Sequence, residues 1–217
     1  MRLCTIDCGL LIQTADLLFF IFIRLKSVDF TINLLKCVTP NSVVRLTFAV
    51  NILSRQNIEI MKPHIGLSEK DLLGITKLLS VVLADSVTLY TKTRKFHWNV
   101  SGESFMELHK LFEHQYKKLE EAIDEVAERI NKLGNDTIGT MREFSDLSTI
   151  KEHPGQYPSS KEMIHELLAD HESVIVSLRK FVDDCTDHYK DAGTADFLTG
   201  LMQSHETIAW TLRRYLK

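Results

Sequence analysis

Apolar residues recur with a helical period over most of the chain beyond residue 66. Leu72, Leu73, Ile75, Leu79, Val82 and Leu83 form one such run, and side chains three and four apart share one face of a helix. Ser68-Glu69-Lys70-Asp71 in front of it has the shape of a capping box with Ser68 as N-cap, so a first helix is predicted over 69–99. Ser101-Gly102 breaks the pattern. A second helix starts near Ser104, with Leu108, Leu111, Phe112, Leu119, Val126, Ile130 and Leu133 as its buried stripe and Gly134 just past its end. Residues 135–158 contain Gly139, Pro154, Gly155 and Pro158, and only 144–150 suits a short helix. That stretch reads as a long crossover. Ser159 with Glu162 makes another capping box before a third helix to about Tyr189, stopped by Asp191-Ala192-Gly193. Thr194 then caps a fourth helix reaching Tyr215, with Phe197, Leu201, Ile208, Trp210 and Leu212 among its apolar positions. No strand pattern competes within 61–217. The expected fold is all-α, a four-helix bundle with a long crossover carrying a short helix between helices two and three.

Residues 1–60 are a different kind of sequence, with 34 apolar residues, three of the four cysteines (Cys4, Cys8, Cys37) and none of the nine histidines. The apolar run at 17–23 falls well short of the roughly 18–20 residues needed to span a bilayer. Arg24-Leu25-Lys26 follows it where a secretory signal would carry small residues. Met61-Lys62-Pro63-His64 looks like a natural start immediately before the first helix signal. The expectation is therefore that 1–60 is an extension outside the fold, with translation beginning at Met61, and that 61–217 is the folded domain.

Charge and cysteine content narrow the function of that domain. It carries 20 Lys+Arg against 25 Asp+Glu, a formal charge of −5, which argues against a phosphate-binding surface as its main purpose. Its one cysteine, Cys185, cannot build a disulfide framework, so a reducing, cytoplasmic setting is expected. Gly-rich phosphate loops are absent, and nucleotide binding has no support.

Chemistry concentrates in His97, His109, Glu113, Asp124 and Glu128. The last four lie on one predicted helix in i, i+4 pairs, 109/113 and 124/128, within a stripe of about 100°. At ~1.5 Å per residue His109 and Asp124 are about 22 Å apart along the axis, so one metal cannot touch both pairs of the same chain. Two antiparallel copies crossing near Lys118 and Leu119 would bring 109/113 of one against 124/128 of the other, twice. The spacing implies a symmetric dimer.

His97-Trp98-Asn99-Val100-Ser101-Gly102, Leu108-His109 with Glu113, and the stretch from Ile123 to Arg129 closely resemble both signature stretches of the Dps family of mini-ferritins. The resemblance continues through Thr194-Ala195-Asp196 and His205-Glu206 to Ala209-Trp210 and covers essentially all of 61–217. It implies a ferritin-like bundle, and a hollow shell of twelve subunits that oxidises Fe(II), usually with hydrogen peroxide, and stores the ferric mineral. Asp124 and Glu128 of one subunit and His97 of its two-fold neighbour would be the principal ligands of two irons, completed by His109 and Glu113 from the His97 side, with zinc as a substitute metal. Carboxylates with a few imidazoles suit iron, and the absence of thiolates speaks against structural zinc or Fe–S sites. Trp98 is a candidate electron donor when only one iron is oxidised, or an aromatic packed at the interface. Asp187, Asp191 and Asp196 are candidates for an iron-entry pore, or ordinary caps and loop residues.

Family members that bind DNA commonly use a basic N-terminal tail, but only Lys62 is basic between Met61 and Ser68. A cage that condenses DNA with little iron turnover is the alternative reading, and the −5 domain argues against it at physiological salt. No membrane association is expected. Glu162-x-x-His165, His171-Glu172, His205-Glu206 and His114 read most simply as surface or interface polar groups.

Overall fold

A computed structural model describes residues 22–25, 28–31 and 63–217. The chain divides into two units, Met1–Ile58 and Glu59–Lys217. In the first, strands β1 (Phe22–Leu25) and β2 (Val28–Thr31) pair antiparallel, with Phe22 opposite Thr31 and Leu25 opposite Val28. The sequence pattern did not assign this hairpin. The other expectations for residues 1–60, and the start at Met61, lie outside the described residues.

The second unit is all helical. Helix α1 (Glu69–Asn99) begins where Ser68 accepts from the Asp71 amide, and α2 (Phe105–Lys132) follows after a short link. The crossover carries α3 (Met141–Leu147), shifted about three residues earlier than the pattern suggested, because Thr140 and Glu143 form a capping box there. Helix α4 (Ser160–Asp183) opens with the Ser159/Glu162 capping box and runs on into one π-helical turn, Asp184–His188. Helix α5 (Ala192–Tyr215) is capped by Asp191, not Thr194, whose own amide is the donor to the Asp191 side chain.

The pairs α1/α2 and α4/α5 each form a hairpin, and their apolar stripes close one core. Phe96, Phe112, Ile75, Leu79, Leu83, Leu119, Ile130, Leu167 and Leu178 are almost wholly buried. Helix α1 is long and apolar enough by composition to cross a membrane, yet its apolar side is the wall against which the core and the crossover pack. Two polar pins fix that crossover. Asp85, in the middle of α1 and 3% exposed, accepts from the Ser148 hydroxyl at 2.9 Å and from the Thr149 amide and hydroxyl at 2.6 and 2.9 Å. Lys92, one side of α1 further along, donates to the Lys151 carbonyl and to Asp170 at 2.6 Å each and pairs with Glu166 at 3.0 Å. A buried charge held this way is fully partnered, as burial requires.

Two glycines fit close approaches. Gly134 ends α2 with φ +81, and a Cβ there would stand 2.5 Å from Pro63 Cδ. Gly134→Ala is expected to lower stability by about 1–3 kcal/mol, from left-handed strain and the clash together, and thermal melting of the two proteins checks it. Gly74 in α1 is a notch filled by the Tyr189 ring, whose Oη lies 2.5 Å from where a Cβ would be.

Candidate metal centre

His97 sits in the last turn of α1, where helical carbonyls have no partner within the helix. His109 lies one turn into α2, and the short link folds the two against each other. His97 Nδ1 is 2.8 Å from the His109 carbonyl, and His109 Nδ1 is 2.9 Å from the His97 carbonyl. A carbonyl only accepts, so both Nδ1 atoms carry the hydrogen and both Nε2 atoms keep their lone pairs. The rings stack 3.8 Å apart at 21°. Tyr116 meets His97 edge-on at 5.3 Å, and Phe105 covers His109 at 5.1 Å. These contacts hold two parallel imidazoles in one tautomer, as metal-ligating histidines require.

Glu113 stands one turn along α2 from His109. Its carboxylate bonds Lys117 at 2.5 Å, and that bond, with the charge of Lys117, holds it below the ordinary carboxylate range. Glu128 is likewise lowered by Lys132, 2.8 Å away. Asp124 and Glu128 are exposed. Within one chain no three His, Cys, Asp or Glu side chains among the described residues converge on a common metal position. Helix α2 (Phe105–Lys132) carries His109 and Glu113 near one end, beside His97 of α1, and the two carboxylates Asp124 and Glu128 further along.

Trp98 is 65% exposed and touches the guanidinium of Arg94, which also lies over Tyr90 and Tyr116 at 5.4 and 4.9 Å. Asp187 and Asp196 are exposed, whereas Asp191 is only 7% exposed. Its carboxylate caps α5, accepts from the Thr194 hydroxyl and faces Arg129 at 3.5 Å. Glu162 is spent in its capping box, and His165 and His114 are exposed.

Two pairs of residues were misread or missed. His171 and His205 are buried, not surface, with 0% and 1% exposure. The signal was present, because His171 falls in register with Ile164, Leu167, Val174 and Leu178, and His205 with Leu198, Leu201, Ile208 and Leu212. Lys117 and Lys132 partner the two glutamates through i, i+4 spacing that is visible in the sequence.

The ferritin-like domain family matches residues 76–217. An uncharacterised low temperature-induced protein of Nostoc sp. is 49% identical over 154 residues, 71% of this chain and 86% of that protein. The "DNA protection during starvation protein 2" of Bacillus anthracis is 35% identical over 143 residues, 65% of this chain and 96% of that protein. Among solved structures, the Dps protein of Vibrio cholerae O1, titled a member of a broad superfamily of ferritin-like diiron-carboxylate proteins, superposes with a TM-score of 0.68 at 28% identity, covering 72% of this chain and 97% of that one. The family match takes in the stretch from His97 to Glu128, and the chain belongs to the Dps family of mini-ferritins within the ferritin-like superfamily.

Proposed function

We propose that this protein is a cytoplasmic ferroxidase and iron-storage protein. It takes Fe(II) as substrate at sites shared by two-fold-related subunits, oxidises it with hydrogen peroxide and keeps the ferric product inside a dodecameric shell. The observation that carries this reading is the reciprocal lock of His97 and His109, which leaves two parallel Nε2 lone pairs beside Glu113. Neutral imidazoles with carboxylates form a donor set that holds Fe(II) and also tolerates Fe(III). The diiron-carboxylate description of the Vibrio cholerae relative points the same way.

The residues divide the work. His97 and His109 orient substrate through fixed tautomers, and Glu113, Asp124 and Glu128 supply negative charge that favours the ferric state. Two Fe(II) give one electron each to one peroxide, which takes two protons and leaves as two waters, so no hydroxyl radical is released. Lys117 and Lys132 are displaced from Glu113 and Glu128 when substrate binds. Zinc at the same donors would act as an inhibitor.

Relatives are named for DNA protection, and the −5 charge of the domain supports protection through removal of iron and peroxide rather than through coating DNA. Adding Fe(II) anaerobically and then peroxide to the purified protein is expected to develop ferric absorbance at about one peroxide per two irons. No ferric absorbance would sink the proposal. Gel retardation across a salt series is expected to show no complex with duplex DNA at physiological salt.

A further inference from the structure

His171 of α4 and His205 of α5 meet inside the bundle with their Nδ1 atoms 2.9 Å apart. One ring donates and the other accepts across that distance, an arrangement open to two neutral imidazoles. The Nε2 of His171 is enclosed and has no hydrogen-bond partner. Leu167, Val174 and Leu178 on α4 and Leu201 and Ile208 on α5 form the apolar stripes in which the two rings stand.

Charged groups on the surrounding helices are committed elsewhere. On α1, Asp85 holds the crossover and Lys92 holds Glu166 and Asp170 of α4. Across α4 and α5, Glu172 pairs with Arg213 and Glu206 with Arg179. On α2 the buried polar position is the uncharged Gln115, while His114, Lys117 and Lys118 are exposed. Among the described residues nothing nearby offsets a positive charge on the pair. Burial pushes both imidazoles down, His171 further by its neighbour and His205 to about 4.

We propose that the His171–His205 pair is an acid-sensitive latch in the subunit core, closed while both rings are neutral and opened by proton uptake that separates α4 from α5. The first extra proton adds an unpaired charge inside the core. A second sets two Nδ1–H groups head to head. An unfolded chain accepts both protons near the ordinary histidine value of about 6.5. The stability held by the neutral pair is therefore complete above that value and falls as pH drops from about 6.5 toward 4. Each ring costs about tenfold in the folding equilibrium per pH unit in that window, about a hundredfold for the two.

The test uses the full chain. Circular dichroism and native mass are followed from neutral to acid pH for the wild type and for His171→Leu/His205→Phe, which removes the latch while keeping the volume apolar. The acid transition of the double variant is expected to lie about one pH unit lower and to be shallower. A folded double variant that opens at the wild-type pH overturns the proposal. Where the double variant does not fold, solid-state nitrogen NMR of histidine-labelled wild type decides, with signals assigned through the single variants. Both rings are expected neutral at about pH 5 in folded protein, and either ring titrating at its ordinary value in the folded state overturns the latch.

Discussion

Chains carrying His97→Ala and chains carrying Asp124→Ala, each expected to oxidise iron about a hundredfold more slowly alone, are expected to recover about a quarter of the wild-type rate when co-assembled. The reason is geometric. If each site takes its imidazole half from one subunit and its carboxylate half from the neighbour, a mixed dimer contains one doubly damaged site and one wholly intact site. Random pairing makes about half of all dimers mixed, so about one site in four is complete. Both substitutions are on helix positions that leave the main core untouched, and native mass should show an assembled shell in every case. The readout is the initial rate of ferric absorbance in separately expressed, co-expressed and wild-type protein. A site built within one chain gives no recovery at all, because every chain then lacks one ligand.

Lys92→Met is expected to destabilise the subunit by about 3–5 kcal/mol at neutral pH, the usual result of stripping the partner from buried charge. Methionine replaces the stem of Lys92 adequately, so the loss comes from Asp170 and Glu166. Burial already raises the Asp170 carboxyl above its ordinary range in the presence of Lys92, while for Glu166 burial pushes up but Lys92 and His153 together outweigh it and keep the carboxyl below its ordinary range. Without the ammonium both carboxyls move up. A carboxyl whose folded value is raised costs stability above that value and stops costing it once protonated. The deficit of the variant is thus expected to be larger at about pH 8 than at about pH 5, whereas a simple packing loss would not change with pH. Urea midpoints at the two pH values check both magnitude and sign, and an equal deficit at both would assign the loss to packing.

Legibility of the chain followed the reach of local rules. The span of α1 could be read residue for residue because Ser68 and Asp71 mark its start and Ser101-Gly102 its end, all within a few positions of the helix. Asp191 took the cap expected of Thr194 because the chain turns out of a π-helical turn there, and an i→i+5 turn leaves no signature in apolar spacing. His171 and His205 were hidden by the charged residues beside them. Adjacent residues on a helix point about 100° apart, so Glu172 and Glu206 say nothing about where the histidines face. The separation of the 109/113 and 124/128 pairs along α2 was readable from helix rise alone, whereas the reciprocal His97–His109 lock depends on how tightly residues 100–104 fold back, which no spacing rule fixes. Lys92 and Asp85 stood in the apolar register of α1, but their partners come from 59 to 78 residues away.

The notch at Gly74 constrains how relatives of this chain can diverge. Residues 74 and 189 lie 115 positions apart in sequence, yet the Tyr189 ring occupies the volume of any side chain at 74. The two positions form a single unit of inheritance: a lineage that gains alanine at 74, which helix propensity by itself favours, has to trim the aromatic at 189 or move the tip of the α4–α5 hairpin. In an alignment the pair should therefore co-vary, with small residues at 74 wherever an aromatic is kept at 189.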